Sequence, residues 1–270
     1  MTTTTVSAIY IYPIKSCAGI ELTGVRFDER GPLFDRHFMV VDQDGQMVTQ
    51  REVPDLALIA PALLPTMLSV SAKGFKELKL PLNSHEGTRT RAVVWGHETQ
   101  AIDQGNKAAD WFSAALGRPL RLVRWADDQV RPVSKKYSQR DSQTAFSDGY
   151  PILLTSEASL ADLNSRLATP VRMERFRPNI VVTGCDAFAE DHWEEITVED
   201  LGMDVVKPCG RCTTINVDPV TGQVGQEPLK TLASYRTQGQ RVVFGQNCIH
   251  HGFGSVRVGD PVHAMPKKSE

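Results

Sequence analysis

The chain has 270 residues, 41% of them hydrophobic and 23% charged, with a net charge of −2 and a pI near 6.4. That balance suits one large or two modest globular domains that bury their own core, and it argues against broad electrostatic binding to nucleic acid or an anionic membrane. No run approaches the roughly 18 consecutive apolar residues of a membrane helix, no basic segment leads into an apolar one at the N-terminus, and the five cysteines are expected as reduced thiols in a cytoplasmic protein.

Val6–Tyr12 is β-branched and aromatic and ends at Pro13, so it reads as a strand. Phe38–Val41 and Met47–Gln50 flank Asp42-Gln43-Asp44-Gly45, a turn that predicts a hairpin. Leu56–Ser71 reads as one strand with irregular, proline-containing flanks, and Thr90–Trp95 as another, ended by Gly96. Ala108, Trp111, Phe112 and Ala115 recur at helical spacing and predict a helix over Lys107–Leu116, capped by Gly117. Leu120–Val123 is a short strand. The polar stretch Ala126–Asp148 is long enough to be a functional or mobile loop and a boundary between two halves.

Pro151–Leu154 is apolar, and Thr155-Ser156 precedes a second helix over Glu157–Leu167, with Ser156 as its N-cap and Leu160, Leu163 and Leu167 as its buried stripe. Asn179–Thr183, Ile196–Val198, Met203–Lys207, Ile215–Val217, Arg241–Phe244 and Ser255–Val258 read as strands. Many short strands with two clear helices predict a β-rich, barrel-like fold rather than a doubly wound one.

Cys209-Gly210-Arg211-Cys212 is the sharpest local motif. Thiolate is a soft ligand, and a guanidinium between two thiols favours it. Structural zinc wants four ligands, and a redox dithiol wants a βαβ setting, whereas Thr213–Val217 reads as strand. A single-thiolate ligand to a metal cofactor, or two inert thiols in a turn, stay open on spacing alone. Lys15-Ser16 lies in a loop after the first strand, Arg36 in FDRHF, and Arg177 before Pro178-Asn179. Each cation suits an anion, and each alone is equally a solvated loop residue. Thr155-Ser156 suits an anion at a helix start or simple capping. Cys17, Cys185 and Cys248 read as small core residues, and no nucleotide-binding glycine motif or GxSxG elbow is present.

In order along the chain, IYPIKSCAGIEL, FDRHFMVVDQDGQMVTQRE, PILLTSEASLADLN, FRPNIVVTG, PCGRCTTINVDPVTGQ and VGDPV resemble the MOSC proteins, in the two-part kind with an N-terminal β-barrel domain. Within that family the chain is similar to the YcbX-type and mitochondrial amidoxime-reducing groups. The resemblance implies a mainly β fold with some α, with a β-barrel domain over residues 1–122 and a barrel-like MOSC domain over 123–265. It implies a molybdenum–molybdopterin cofactor (Moco) with Cys212 as the metal ligand. Gly210, Arg211, Lys15, Ser16, Arg36, Thr155, Ser156, Arg177 and Asn179 would surround that cofactor. Asn247 joins them where mitochondrial relatives carry tyrosine; Cys209 belongs to the signature without being the ligand.

The activity so implied is reduction of small N-hydroxylated compounds, such as hydroxylamines, amidoximes and N-hydroxylated base analogues, to amines. Only His263–Glu270 follow VGDPV and no ferredoxin-type cysteine cluster is present, so an external flavoprotein or ferredoxin is the expected electron donor. A Moco carrier without turnover, or a sulfur carrier using a Cys212 persulfide, are the alternatives. The absence of a pyridoxal-phosphate desulfurase half weakens a complete sulfurase.

Overall fold

The structure, a computed structural model, describes residues 3–83, 86–138 and 140–267. The fold is mainly β, with three α-helices among the described residues. Its largest sheet has nine strands. Eight follow the path Val262–Pro266, Trp193–Val198, Leu201–Gly210, Arg241–His250, Ile152–Ser156, Ile180–Thr183, Thr5–Ile11, Ile20–Leu22, and Thr237–Gln238 pairs with Arg241–His250 beside them. Pairing is antiparallel except between Ile152–Ser156 and Ile180–Thr183. A parallel pair needs a crossover, and helix Glu157–Ser165 lies on that connection. Hydrogen bonds from Val6 N to Asp260 O (2.9 Å) and from Val262 N to Thr4 O (2.8 Å) curl the far edge of the sheet back onto its first strand. The apolar set enclosed by this barrel-like sheet includes Ile9, Ile11, Leu154, Ile180, Ile196 and Met203.

A second body is a four-stranded sheet, in the order Phe38–Val41, Arg121–Trp125, His97–Asp103, Arg89–Val94, beside the three-stranded sheet Ala60–Leu63, Met67–Ser71, Leu78–Pro81. Helix Gly105–Leu116 buries Ala108 and Phe112 against it and ends at Gly117 with φ 69°, the left-handed cap read from the sequence. In the turn after Val41, Asp42 Oδ1 accepts from Asp44 N and Gln46 N at 2.9 Å each. Gly45 is required there: its φ is +73°, and a Cβ would lie 2.5 Å from the Arg91 carbonyl.

The two bodies are interleaved along the chain. Strand Thr5–Ile11 lies in the large sheet, and strand Gly24–Asp28 pairs with Gly254–Arg257. Strand Arg121–Trp125 runs unbroken through residues 122 and 123.

Two strand expectations are corrected, and two elements lie where the sequence had pointed to none. Leu56–Ser71 is not one strand but a 3-10 turn, Pro54–Leu58, followed by the hairpin Ala60–Leu63/Met67–Ser71. Thr213–Asn216 is a 3-10 turn where Ile215–Val217 had read as strand; Cys212 O accepts from Ile215 N (3.3 Å), which coils the backbone despite β-branched side chains. A third helix, Leu229–Tyr235, has too short an apolar pattern to show in sequence. His97–Asp103, which opens with four consecutive polar residues, is a strand. No helix among the described residues is long and apolar enough to cross a membrane.

Candidate functional site

A solvent-open cleft lies where loops of both bodies converge. Its wall brings together Lys15, Ser16, Arg36, Arg177, Asn179, Gly210, Arg211, Cys212 and Asn247, nine of the residues that the sequence had singled out from distant segments. Cys209 lines it too, with Arg51, Trp95 and Asp148, which the sequence had not marked. Five cations (Lys15, Arg36, Arg51, Arg177, Arg211) face one carboxylate, Asp148, so the cleft is built to attract an anion.

Backbone strain is concentrated here. Ser16 (φ 67°), Arg36 (φ 49°), Trp95 (φ 51°) and Arg177 (φ 57°) hold left-handed conformations without being glycine. Each costs of order 1 kcal/mol and persists only where surrounding structure enforces it, as at ligand sites.

Arg36 donates through Nη1 to Asp35 Oδ2 (2.6 Å) and Asn179 Oδ1 (3.3 Å), and through Nη2 to the Arg177 carbonyl (3.2 Å). Its guanidinium and that of Arg177 lie 4.2 and 4.1 Å from the centroid of the buried Tyr12 ring. Burial, and then Arg36, pull Arg177 down to about 10, still charged at neutral pH. Burial pushes the Tyr12 hydroxyl up against the opposing pull of both arginines, so the ring stays neutral between two cations. Asn179, almost fully buried, locks the corner: its Oδ1 accepts from Leu153 N (3.1 Å) and its Nδ2 donates to Tyr10 O (3.2 Å).

Lys15 is 4% exposed. Its Nζ donates to the Phe146 carbonyl (3.0 Å) and pairs with Asp148, whose carboxylate also accepts from Trp95 Nε1 (3.0 Å). Burial lowers the Lys15 pKa, opposed by Asp148. Burial raises Asp148, but the Lys15 charge and the bonds from Lys15 and Trp95 outweigh it and hold the acid well below the usual carboxylate range. The Asp148 side chain itself is open to the cleft. The backbone carrying it is held by Arg131, which donates to Ala145 O (3.0 Å) and Ser147 O (2.6 Å). The end of the long polar stretch is thus pinned to the site.

At the opposite wall, strand Leu201–Gly210 delivers the cysteine pair. Cys212 is exposed, and its thiol donates to Thr214 Oγ1 at 3.3 Å. Cys209 is half-buried, and its sulfur accepts from Arg211 Nη1 at 3.1 Å. Arg211 also donates to the Phe176 carbonyl (2.6 Å), so its guanidinium is fixed beside Cys209. Asn247 Nδ2 donates to Lys207 O (3.4 Å).

Thr155 and Ser156 lie apart from these residues. Neither lines the cleft, and neither has exposed surface. Ser156 Oγ caps helix Glu157–Ser165 by accepting from Ser159 N (3.1 Å) and donates to buried Glu190 (3.1 Å); Thr155 donates to Met173 Sδ (3.4 Å). Trp95, Arg51 and Asp148 went unmarked because hairpin tips and loops bring them in. For Asp148 the signal was the long polar stretch that it ends.

The MOSC N-terminal β-barrel domain family matches residues 3–119, and the MOSC domain family matches residues 141–263. The chain is 39% identical to human mitochondrial amidoxime-reducing component 1, across 97% of this chain and 83% of that protein. It is 38% identical to rat mitochondrial amidoxime reducing component 2 across 97% and 83%, and 39% identical to the mouse component 1 across 97% and 82%. The chain belongs to the MOSC family, in the two-part form whose first half is the MOSC N-terminal β-barrel domain.

Proposed function

We propose that the cleft holds a molybdenum–molybdopterin cofactor through Cys212 Sγ, and that the protein reduces N-hydroxylated compounds to amines with electrons from a separate flavoprotein or ferredoxin. The carrying observation is one exposed thiol sharing a cleft with five cations and a single carboxylate. A soft sulfur donor suits the metal, and the cationic excess suits the phosphate of the pterin. Family membership and the names of the amidoxime-reducing relatives support the same reading.

The balanced reaction is R–NHOH + 2 e⁻ + 2 H⁺ → R–NH₂ + H₂O: the N–O bond breaks, nitrogen is reduced, and oxygen leaves as water. When bound, the cofactor supplies the two-electron redox step; the protein supplies binding, orientation and tuning. Arg36 and Arg177, clamped on Tyr12, and Lys15, paired with Asp148, present positive charge whose position is fixed before the anion arrives. That preorganisation lowers the ordering cost of binding. Arg211, held by Cys209 and the Phe176 carbonyl, adds a further fixed cation to the wall that carries the cysteine pair. The open cleft lets solvent supply the two protons.

The test is to purify protein from a cofactor-competent host, assay molybdenum and pterin, and follow anaerobic turnover of an amidoxime with a chemical reductant. Stoichiometric metal with turnover is the expected result. Stoichiometric metal without turnover makes the protein a cofactor carrier, and a Cys212 persulfide without metal makes it a sulfur carrier.

A further inference from the structure

We infer that Trp95 makes this cleft prefer N-hydroxylated compounds whose reacting group is borne on a flat aromatic ring. The inference rests on the reductase reading above and names its substrate class more closely.

Val94 pairs with His97, which leaves Trp95-Gly96 as a two-residue hairpin turn. Their φ angles are 51° and 79°. A turn with both central residues left-handed is ordinarily filled by Asn-Gly or Asp-Gly, because a bulky side chain is strained there. The turn therefore does not explain the tryptophan; the position of its ring does. The indole Nε1 donates to Asp148 Oδ1 (3.0 Å), the Arg51 guanidinium lies 4.6 Å from the ring centroid, and Lys15 Nζ lies 5.4 Å from it. These contacts fix the ring yet leave the residue 43% exposed. Of the large hydrophobic side chains that are exposed among the described residues, Trp95 is the one that lines the cleft. The other aromatics of the wall are Tyr150, which is part-buried, and Phe176; Ile152, Leu153 and Ile215 on the lining are aliphatic, and the rest is mostly polar or charged. Phe176, also on the lining, is fully buried and stacked on Phe244 at 4.1 Å between centroids.

A rigid, half-exposed indole offers little to a small aliphatic hydroxylamine. It offers stacking to a flat ring, and a cation–π contact to an amidinium formed as product. Stacking of a flat heteroaromatic on one such side chain changes affinity by about tenfold or more.

Benzamidoxime and acetamidoxime share the reacting group and differ by the ring. With the molybdenum-loaded protein, the ratio of their kcat/KM values is measured for wild type, Trp95→Phe and Trp95→Leu, with metal content for each. Binding of benzamidine, which has no N–O bond to reduce, is measured by calorimetry on the same samples. The expected result is a wild-type preference for benzamidoxime of about tenfold, kept by Phe and lost in Leu, with benzamidine affinity falling in parallel and metal content unchanged. Absence of the wild-type preference, or its retention in Leu, overturns the inference. So does equal loss in Phe and Leu, because Phe keeps the ring and loses only the donor to Asp148. A fall in metal content of Trp95→Leu overturns it too, making Trp95 part of the cofactor's hold. If loaded wild type reduces neither amidoxime, it is the reductase reading that fails, and the benzamidine measurement alone decides the ring's role.

Discussion

The Arg36 guanidinium donates to the backbone carbonyl of Arg177 at 3.2 Å, and the two side chains share the face-on company of Tyr12. Two cations at such range repel, and Asp35 is the carboxylate paired with Arg36. The corner thus carries uncompensated positive charge that a bound anion would neutralise. Arg36→Ala and Arg177→Ala are each expected to lower molybdenum content of purified protein at least several-fold, measured by elemental analysis. Normal content in both would remove the phosphate-gripping role.

Tyr12 makes that corner rigid through its ring and not its hydroxyl, which is buried without a hydrogen-bond partner among the described residues. Tyr12→Phe should therefore leave thermal stability and metal content unchanged or slightly improved, since it removes a buried unsatisfied group. Tyr12→Leu removes the surface on which both guanidiniums rest. It should cost about 2 kcal/mol of stability by chemical denaturation and lower metal content as well.

The two cysteines of the cleft should separate cleanly. Cys212 is exposed, so Cys212→Ala should leave the fold within about 0.5 kcal/mol of wild type and abolish both metal retention and turnover. Cys209 accepts from Arg211, so Cys209→Ser, which keeps an acceptor, should retain more rate than Cys209→Ala, and both should retain metal. Retention of metal by Cys212→Ala, with loss in Cys209→Ala, would exchange the assignments.

How far the site was legible depends on how each residue reaches it. Lys15, Ser16, Arg36 and Arg177 sit in short loops next to strands, and Cys212 in a compact signature, so local sequence marks them. Trp95, Arg51 and Asp148 meet only because the Arg89–Val94/His97–Asp103 hairpin folds over the end of the polar stretch, a relation with no local pattern. Ile215–Val217 misled for the opposite reason. Its β-branched composition favours strand, yet bonds from Ile215 N to Cys212 O and from Val217 N to Thr214 O coil it. The Thr155-Ser156 helix start was visible in sequence. That Glu190 closes over it was not, because the packing partner lies 34 residues away.

That burial makes Ser156 a stability residue. Ser156→Ala removes an N-cap, worth about 1 kcal/mol, and takes one of two hydroxyl donors from Glu190, whose carboxyl burial already holds above the usual range, leaving Ser159. The melting temperature should fall while molybdenum content per folded chain stays at the wild-type level. Loss of metal at unchanged stability would return Ser156 to the cofactor.

His37 predicts an acid limit to stability. Its side chain is 6% exposed, and Nδ1 has no hydrogen-bond partner among the described residues. Burial, then the charges of Arg30 and Arg124, lower it from 6.5 to about 4. The imidazole is therefore neutral in the folded state. Above pH 6.5 neither folded nor unfolded chain binds the proton, and this group's contribution is fully present. As pH falls through 6.5 the unfolded chain takes up a proton that the folded chain refuses, and stability declines until about pH 4, where the folded state titrates as well. Each unit is worth about 1.4 kcal/mol, so the loss across the window is about 3 kcal/mol. Carboxylates titrate over part of the same range, so the measurement is a difference: unfolding free energy against pH for wild type and for His37→Gln, whose amide does not titrate. The wild-type curve should fall more steeply than the variant's between pH 6.5 and 4, whatever their offset at neutral pH. Parallel curves would mean that His37 is charged in the folded protein, with a cation accommodated between Arg30 and Arg124.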